Sequence, residues 1–288
     1  MRNRISTKVI TLILLASFGL TSLSCNPASS SEQFFGATVP PKQNILRYVT
    51  GDEPESLDPP VGNGQPEARI YMALFDGLVE YHPKTMNPVP AMAERWDINN
   101  DSSEFTFHLR KNGRWSNGDP IDANDFVYSF RRALSPQLAS RNAYLAAYIK
   151  YSHAYTSGEV FVRDSTTKEF LLARDFEASV TPEPLSVKPL GATPEYQATA
   201  EEPKPDADSA FHQFMHSPTR LTLPGDVKAR NKLLDKGAKL KSAIEGKELV
   251  PVTKEDLGVE AVDKYTVRIS LSQSAPFFLD FLHTRFFV

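Results

Sequence analysis

The sequence contains few residue patterns that could support catalysis. It has no Gly-x-Ser-x-Gly nucleophile elbow, no phosphate-binding Gly-rich loop followed by Lys, and no His-Glu-x-x-His zinc motif. Gly62-Asn63-Gly64 matches a dinucleotide-binding fingerprint only in part, because the third glycine is missing and the stretch does not directly follow a strand. We therefore expect a protein that is not an enzyme and that binds no cofactor.

His212 and His216 are spaced as on one face of a helix. Imidazole nitrogens at this spacing are common zinc ligands. Because no third ligand stands beside them in the sequence, we expect a surface pair and no metal site.

The chain begins like an exported protein. Arg2, Arg4 and Lys8 precede the apolar run 9–20, which is the layout of a signal peptide. Twelve helical residues reach only about 18 Å, short of the ~30 Å hydrocarbon core of a membrane. We therefore expect an export signal and no permanent spanning helix here.

Cys25 is the only cysteine and follows the apolar run directly after the small residue Ser24. This site resembles the lipobox of bacterial lipoproteins, although Ser22 stands where that pattern has Leu and Leu23 follows it. Residues 1–25 are therefore predicted as a lipoprotein signal peptide, with lipid attached at Cys25 as a membrane anchor. Ordinary cleavage or an incidental cysteine is the alternative.

The overall composition predicts one or two packed domains. Hydrophobic residues make up 41% of the 288 residues and charged residues 23%. The formal net charge of −3 gives no reason to expect binding to nucleic acid. Residues 26–43 are small, polar and Pro-containing, so we expect a flexible tether there.

Folded structure is predicted to begin near residue 44. Residues 45–50 are rich in β-formers and apolar on both parities, which predicts a strand covered on both faces. Pro66 suits the first turn of a following helix, whose apolar face would carry Ile70 and Leu74.

The next stretch predicts a strand, a turn and a capped helix. Alternation over residues 105–110 indicates a half-buried strand, and Asn112-Gly113 predicts a tight turn that returns residues 114–116 as its partner. Asp122 is the predicted N-cap of the helix. The apolar stripe of that helix consists of Phe126, Val127, Phe130 and Leu134.

The remaining segments are predicted from short periodic runs or from composition alone. Residues 145–149 suggest a second helical stretch, and alternation over residues 266–271 predicts another half-buried strand. Residues 181–208 are crowded with Pro, Glu, Ala and Thr, which predicts a mobile insertion. The Lys-rich residues 226–248 predict a solvated surface helix.

Several motifs together resemble a known protein family. In chain order they are Glu55-Ser56-Leu57-Asp58-Pro59, Leu74-Phe75-Asp76-Gly77-Leu78, Ala93-Glu94-Arg95-Trp96, Phe105-Thr106-Phe107-His108-Leu109-Arg110, Trp115-Ser116-Asn117-Gly118-Asp119-Pro120, Asp125-Phe126-Val127-Tyr128-Ser129 and Pro276-Phe277-Phe278. Their order and spacing resemble family five of the solute-binding proteins of ABC importers, which bind peptides, dipeptides or nickel, and are closest to its oligopeptide-binding branch. The motif residues also have structural meanings, since Trp96 and Trp115 would supply buried area.

The resemblance implies an α/β (α+β) fold. We expect an incomplete periplasmic-binding-protein-like II clamshell, in an N-terminal fragment that contains part of the first lobe and an accessory mixed α/β domain with a long irregular insertion. The implied boundaries are 44–80 for the start of the main lobe, 81–158 for the first part of the accessory domain, 159–252 for a partly disordered insertion, and 253–288 for the closing strand and the return toward the main lobe.

The resemblance also implies which residues border a ligand. In the family, the loop between the first strand and helix does so, and here this loop contains Asn63, Gly64 and Gln65. Peptide-binding relatives commonly have an acidic residue where this chain has Asn63. Tyr144 is displaced by two positions from the family's tyrosine but remains a candidate. A hinge loop and a core aromatic are the structural alternatives.

The implied function is capture of oligopeptides outside the cytoplasmic membrane and delivery to an ABC permease, with the ATPase on a separate subunit. The implied partners are short peptides, permease subunits and, through a lipid anchor, the membrane of the cell envelope facing the periplasm; we expect a monomer. Two alternatives stay open: a lipoprotein that senses or presents peptides without transport, and the same fold with a sugar, nickel chelate or antibiotic as ligand.

Overall fold

The structure, a computed structural model, describes Val49, residues 51–176 and residues 209–282. The chain divides into two units, residues 1–49 and 50–288, and every element below belongs to the second. The predicted signal peptide with Cys25, the tether, the strand over 45–50 apart from Val49, and the insertion over 181–208 lie outside the described residues. Within the described part, no helix is long and apolar enough to cross a bilayer.

The first helix, α1 (Gln65–Leu74), begins with Pro66 in its first turn, as predicted. Its buried face differs from the prediction, because the buried residues are Glu67 and Tyr71 while Leu74 is 66% exposed. The reason is that, among the described residues, Glu67 and Tyr71 of α1 pack on the polar main chain of the preceding loop and not on an apolar core. A short hairpin of β1 (Val79–Tyr81) and β2 (Pro88–Pro90) follows.

The main sheet has four antiparallel strands in the order β3-β4-β9-β8. These strands are β3 (Ala93–Ile98), β4 (Glu104–Leu109), β8 (Val259–Asp263) and β9 (Thr266–Ser270). Phe105 pairs with Ile269 and Phe107 with Val267. All four of these side chains are fully buried, so the alternation predicted for residues 105–110 is confirmed.

Helix α2 (Ala123–Ala133) closes the same core. The Asp122 carboxylate accepts a hydrogen bond from the Asn124 amide, and Asp125 reciprocates by accepting from the Asp122 amide, which forms a capping box. The predicted cap and apolar stripe are thus confirmed. The stripe residues Phe126, Val127, Phe130 and Leu134 are all buried in the main core.

The predicted partner of β4 is wrong. Residues 114–116 do not return beside it; Arg114 forms only an isolated bridge with Pro120. Neither Asn112 nor Gly113 has a positive φ angle, whereas Gly118 has φ of 95°, so the left-handed turn residue is supplied by Asn117-Gly118. β4 instead lies between β3 and β9, because apolar partners from distant segments bury more surface than a local return could.

The strand predicted over residues 266–271 is buried on both faces, not half-buried. All five residues of β9 are buried, including Thr266, Arg268 and Ser270. The polar face is covered because His212 and His216 of a distant helix contact Glu104 on β4 and Arg268 on β9. A single-sequence pattern cannot show such a cover.

The described parts of the predicted insertion, residues 159–176 and 209–252, contain regular secondary structure. Their three-stranded sheet has the order β6-β5-β7, with β5 (Val160–Arg163), β6 (Thr222–Leu223) and β7 (Glu248–Pro251). The Lys-rich stretch forms two helices, α5 (Val227–Leu234) and α6 (Ala238–Ile244). The other short elements are α3 (Ser152–Thr156), α4 (Ala210–His216), α7 (Leu279–Leu282) and 3-10 turns at Ala143–Ala146, Ala173–Asp175 and Lys254–Asp256.

Candidate functional site

The loop before α1, residues 55–64, is fixed to the helix by two buried polar side chains. The Tyr71 hydroxyl donates to the main-chain carbonyls of Ser56 at 2.8 Å and Asp58 at 3.1 Å. The Glu67 carboxylate accepts from the Glu55 amide at 3.0 Å. Burial, followed by the charges of Glu67 and Asp58, raises the pKa of Tyr71 above its ordinary value. The hydroxyl therefore stays protonated and continues to donate at neutral pH.

Two glycines allow this loop to approach α1 closely. A Cβ atom added at Gly62 would lie 2.0 Å from the Tyr71 hydroxyl oxygen, and one added at Gly64 would lie 2.4 Å from a Glu67 carboxylate oxygen. Both separations are far inside van der Waals contact. The loop conformation therefore depends on glycine at both positions.

A second segment of the chain holds the loop from another side. The Asn142 side-chain amide donates to the Gly62 carbonyl at 2.9 Å, and the Ser140 hydroxyl donates to the Pro60 carbonyl. Arg132 on α2 makes two hydrogen bonds to the Asp58 carboxylate, at 2.8 and 2.6 Å, a bidentate geometry that orients both groups.

These contacts bring together the two stretches from which ligand residues were predicted. Asn63 and Gln65 are exposed, Gly64 is half-buried, and Tyr144 is 69% exposed two residues after Asn142. The exposed side chains are thus available to a ligand on a loop whose main chain is fixed. Their contact with a ligand stays a prediction.

Sequence reasoning missed the residues that join these stretches. Asn142 and Arg132 contact the loop across 80 and 74 residues of sequence. No local pattern marks such contacts, although Asn142 stands within the stretch that supplied Tyr144.

Trp115 does not supply buried area, contrary to the prediction. It is 40% exposed because it lines two adjoining cavities of about 370 and 360 Å³. Phe75, Asp125 and Ser129 line both cavities as well. Neither lining includes Asn63, Gly64, Gln65 or Tyr144, although Asp58, Pro59 and Pro60 of the same loop border the second cavity.

The two histidines of α4 are not a simple surface pair. Glu104, the first residue of β4, lies with one carboxylate oxygen 3.0 Å from His216 Nε2 and 3.7 Å from His212 Nδ1. The structure therefore places a third potential metal ligand beside the two histidines, which the sequence did not reveal. It was missed because 112 residues separate Glu104 from His216.

Comparison with known proteins identifies the family. Residues 87–287 match the model described as bacterial extracellular solute-binding proteins, family 5 Middle. The dipeptide-binding protein DppE of Bacillus subtilis is 32% identical over 168 residues, which are 56% of this chain and 31% of that protein. The periplasmic oligopeptide-binding protein OppA of Escherichia coli is 41% identical over 128 residues, 44% of this chain and 22% of that protein.

Solved structures give a weaker likeness. The Escherichia coli murein tripeptide binding protein MppA has a TM-score of 0.47 at 24% identity, with 82% of this chain and 28% of that chain covered. The chain thus spans less than a third of the length of each of these relatives. Because the family match extends over well more than half of the chain, this protein belongs to family 5 of the bacterial extracellular solute-binding proteins.

Proposed function

We propose that this protein is the substrate-binding component of an ABC importer and captures oligopeptides outside the cytoplasmic membrane. It delivers the peptide to a membrane permease, while ATP hydrolysis takes place on a separate subunit. In this proposal the protein is a monomer and not an enzyme. Relatives that carry the names dipeptide-binding and oligopeptide-binding protein support the ligand class.

The observation that carries the proposal is the hydrogen bond from Asn142 to the Gly62 carbonyl. It ties the loop with Asn63, Gly64 and Gln65 to the segment with Tyr144. The result is one surface built from two parts of the chain, with exposed side chains on a fixed main chain. A preorganised surface loses less conformational entropy when a ligand binds.

The chemistry of the exposed groups suits an extended peptide. The Asn63 and Gln65 side-chain amides can each donate to a peptide carbonyl and accept from a peptide N–H. Tyr144 offers an aromatic surface with a hydroxyl at its end. None of these groups requires a particular ligand side chain, so the surface suits peptides of varied sequence.

The proposal includes export and anchoring. The protein would lie in the periplasm or at the cell envelope, held to the membrane by lipid on Cys25. Replacing Cys25 with Ser should abolish incorporation of labelled palmitate and release the protein from the membrane fraction. Retained labelling in the variant would overturn the anchoring proposal.

The ligand class is tested by native mass spectrometry of the full-length protein purified from cells. We expect short peptides of mixed sequence to co-purify. A single metal chelate, sugar or antibiotic in their place would overturn the peptide assignment. Uptake of labelled peptides by cells with and without the protein then tests transport, because a sensor would bind peptide yet leave uptake unchanged.

The site is tested by Tyr144→Ala, with Met86→Ala as the control. Both side chains are exposed, at 69% and 59%, but Met86 lies between β1 and β2 and lines neither cavity. Loss of the contact area of the Tyr144 ring should weaken peptide binding by about tenfold, or 1.4 kcal/mol. Equal effects of both variants would contradict the proposed site.

A further inference from the structure

A cluster of Glu104, His212 and His216 joins the insertion segment to the main sheet. Glu104 begins β4, and the two histidines lie one turn apart on α4. Their imidazole rings are 4.2 Å apart between centroids. One oxygen and two nitrogens therefore converge on a single point between helix and sheet.

We propose that these three residues form a binding site for a divalent first-row transition cation, with Zn²⁺ as the best-suited ion. Ligand atoms of a tetrahedral zinc site lie about 3.3 Å apart, since the zinc–ligand bonds are about 2.0–2.1 Å long. The separations of 3.0 and 3.7 Å from the Glu104 oxygen to the two histidine nitrogens bracket that value. Two imidazoles and one carboxylate are donors that zinc readily accepts.

The fourth coordination position can be filled from solvent. The His212 and Glu104 side chains are largely buried, whereas that of His216 is 49% exposed. An ion and its remaining water ligand can therefore enter beside His216. The other two ligands hold the ion against the sheet.

Arg268 does not hold Glu104 closely. Buried Arg268 pairs with Glu260 at 2.9 Å, whereas it lies 3.8 Å from Glu104. A cation bound at Glu104 therefore leaves the close pair of Arg268 and Glu260 intact. Lys150 donates to the main-chain carbonyls of Met215 and Ser217, so its hydrogen bonds are not directed at the carboxylates.

Metal binding requires two local exchanges of partners. The hydrogen bond between His216 Nε2 and Glu104, 3.0 Å long, gives way to a metal bond at each of these atoms, with the His216 proton moving to Nδ1. Arg268 Nη1 donates to His212 Nδ1 at 2.8 Å, and this nitrogen lone pair is the one a metal would use. The same Nη1 also donates to Glu260 at 2.9 Å. Arg268 can therefore give up His212 and keep its carboxylate partner, while His212 exchanges a hydrogen bond for a metal bond.

The site lies on different residues from the proposed peptide surface. It would stabilise the contact between α4 and β4, since a ligand that binds only the folded state raises stability by mass action. The zinc proposal can therefore be tested independently of the peptide proposal.

The test is calorimetric titration of the tag-free, EDTA-treated protein with ZnCl2. We expect one zinc ion per chain, and His216→Gln should weaken the affinity at least tenfold because one of three protein ligands is lost. Glu104→Gln should do the same, and thermal unfolding of the unchanged protein should shift upward with zinc. His216 is half exposed, so its variant is expected to fold even where replacement of the buried Glu104 impairs folding.

His153→Gln is the matched control. His153 also lies near a carboxylate, 3.4 Å from Glu159, but this pair has no second histidine beside it among the described residues. Its replacement should leave zinc affinity unchanged. Absence of zinc binding to the unchanged protein would overturn the proposal, as would equal affinity in the His216→Gln variant or an equal loss in His153→Gln.

Discussion

Replacing Gly62 with Ala should destabilise the loop in front of α1. The added Cβ would meet the Tyr71 hydroxyl oxygen at 2.0 Å, the adjoining ring carbon at 2.9 Å and Glu67 Cβ at 3.2 Å. Tyr71 is 4% exposed and its hydroxyl holds two loop carbonyls. The ring cannot move away without losing those hydrogen bonds.

The expected loss in the free energy of unfolding is about 1–4 kcal/mol. The single hydroxyl proton of Tyr71, shared between two carbonyls, contributes about 1 kcal/mol net, and overpacking of a filled site typically costs about 1–3 kcal/mol. Ala also lowers the conformational entropy of the unfolded chain, which offsets the loss in stability by about 0.4–1 kcal/mol. The urea midpoint should therefore fall by about 1 M, with a slope of about 1–3 kcal/mol per M.

Tyr71→Phe separates the clash from other causes. In that background the hydroxyl oxygen is gone, so the added Cβ meets the ring carbon at 2.9 Å and Glu67 Cβ at 3.2 Å. The cost of Gly62→Ala should fall by at least about 1 kcal/mol, which appears as coupling in a double-mutant cycle. Strict additivity of the two substitutions would refute the reasoning.

Gly237→Ala is the control for glycine replacement as such. A Cβ at Gly237 would approach only Leu240 Cβ, at an ordinary 3.5 Å, and the φ angle of −132° suits alanine. Because Gly237 is the N-cap of α6, where Ala is less favoured than Gly, the effect should stay within about 1 kcal/mol. A loss as large as that of Gly62→Ala would show that the clash with Tyr71 is not the cause.

Three further predictions concern the core, the cap and alkaline stability. Phe107→Ala should cost about 3–5 kcal/mol in urea unfolding because the ring is fully buried, whereas Ile98→Ala, at a side chain 43% exposed, should cost about 1 kcal/mol or less. Asp122→Ala should cost about 1 kcal/mol through loss of the α2 cap, and Asp122→Asn should retain most of that stability. Burial raises the pKa of Tyr151 above the ordinary value near 10, so the unfolded state releases this proton first and stability falls as pH rises above about 10. The Tyr151→Phe variant should therefore lose less stability over that range in urea unfolding. A pH profile of stability identical to that of the unchanged protein would contradict the prediction.

The elements that the sequence predicted well are those whose determinants are local. Asp122, Asp125 and the apolar stripe of α2 lie within one stretch, so cap, helix and buried face could be predicted together. The alternation around Phe105 likewise identified the buried face of β4. A local sequence pattern is enough to predict the buried face of an element when that face packs against any apolar surface.

The errors arise where a distant partner decides the outcome. The partner strands of β4 and the cover over the polar face of β9 come from other parts of the chain. For the same reason the sequence placed Leu74 rather than Tyr71 on the buried face of α1, since the packing partner there is a loop carbonyl. The resemblance predicted a ligand loop, whose contact with a ligand stays a prediction, but it gave no sign of the contact from Asn142.

The sheet order constrains when this protein can fold. Glu104 on β4 is paired with Ser270 on β9, 166 residues later, and β9 is a central strand. At a synthesis rate of 5–20 residues per second, roughly 8–30 s pass between the emergence of these two residues from the ribosome. During that interval β4 lacks one of its two neighbours, so the early part of the chain cannot complete its tertiary structure. A central strand that is synthesised late thus leaves the nascent domain incompletely folded, which is the state that the export proposed above would require.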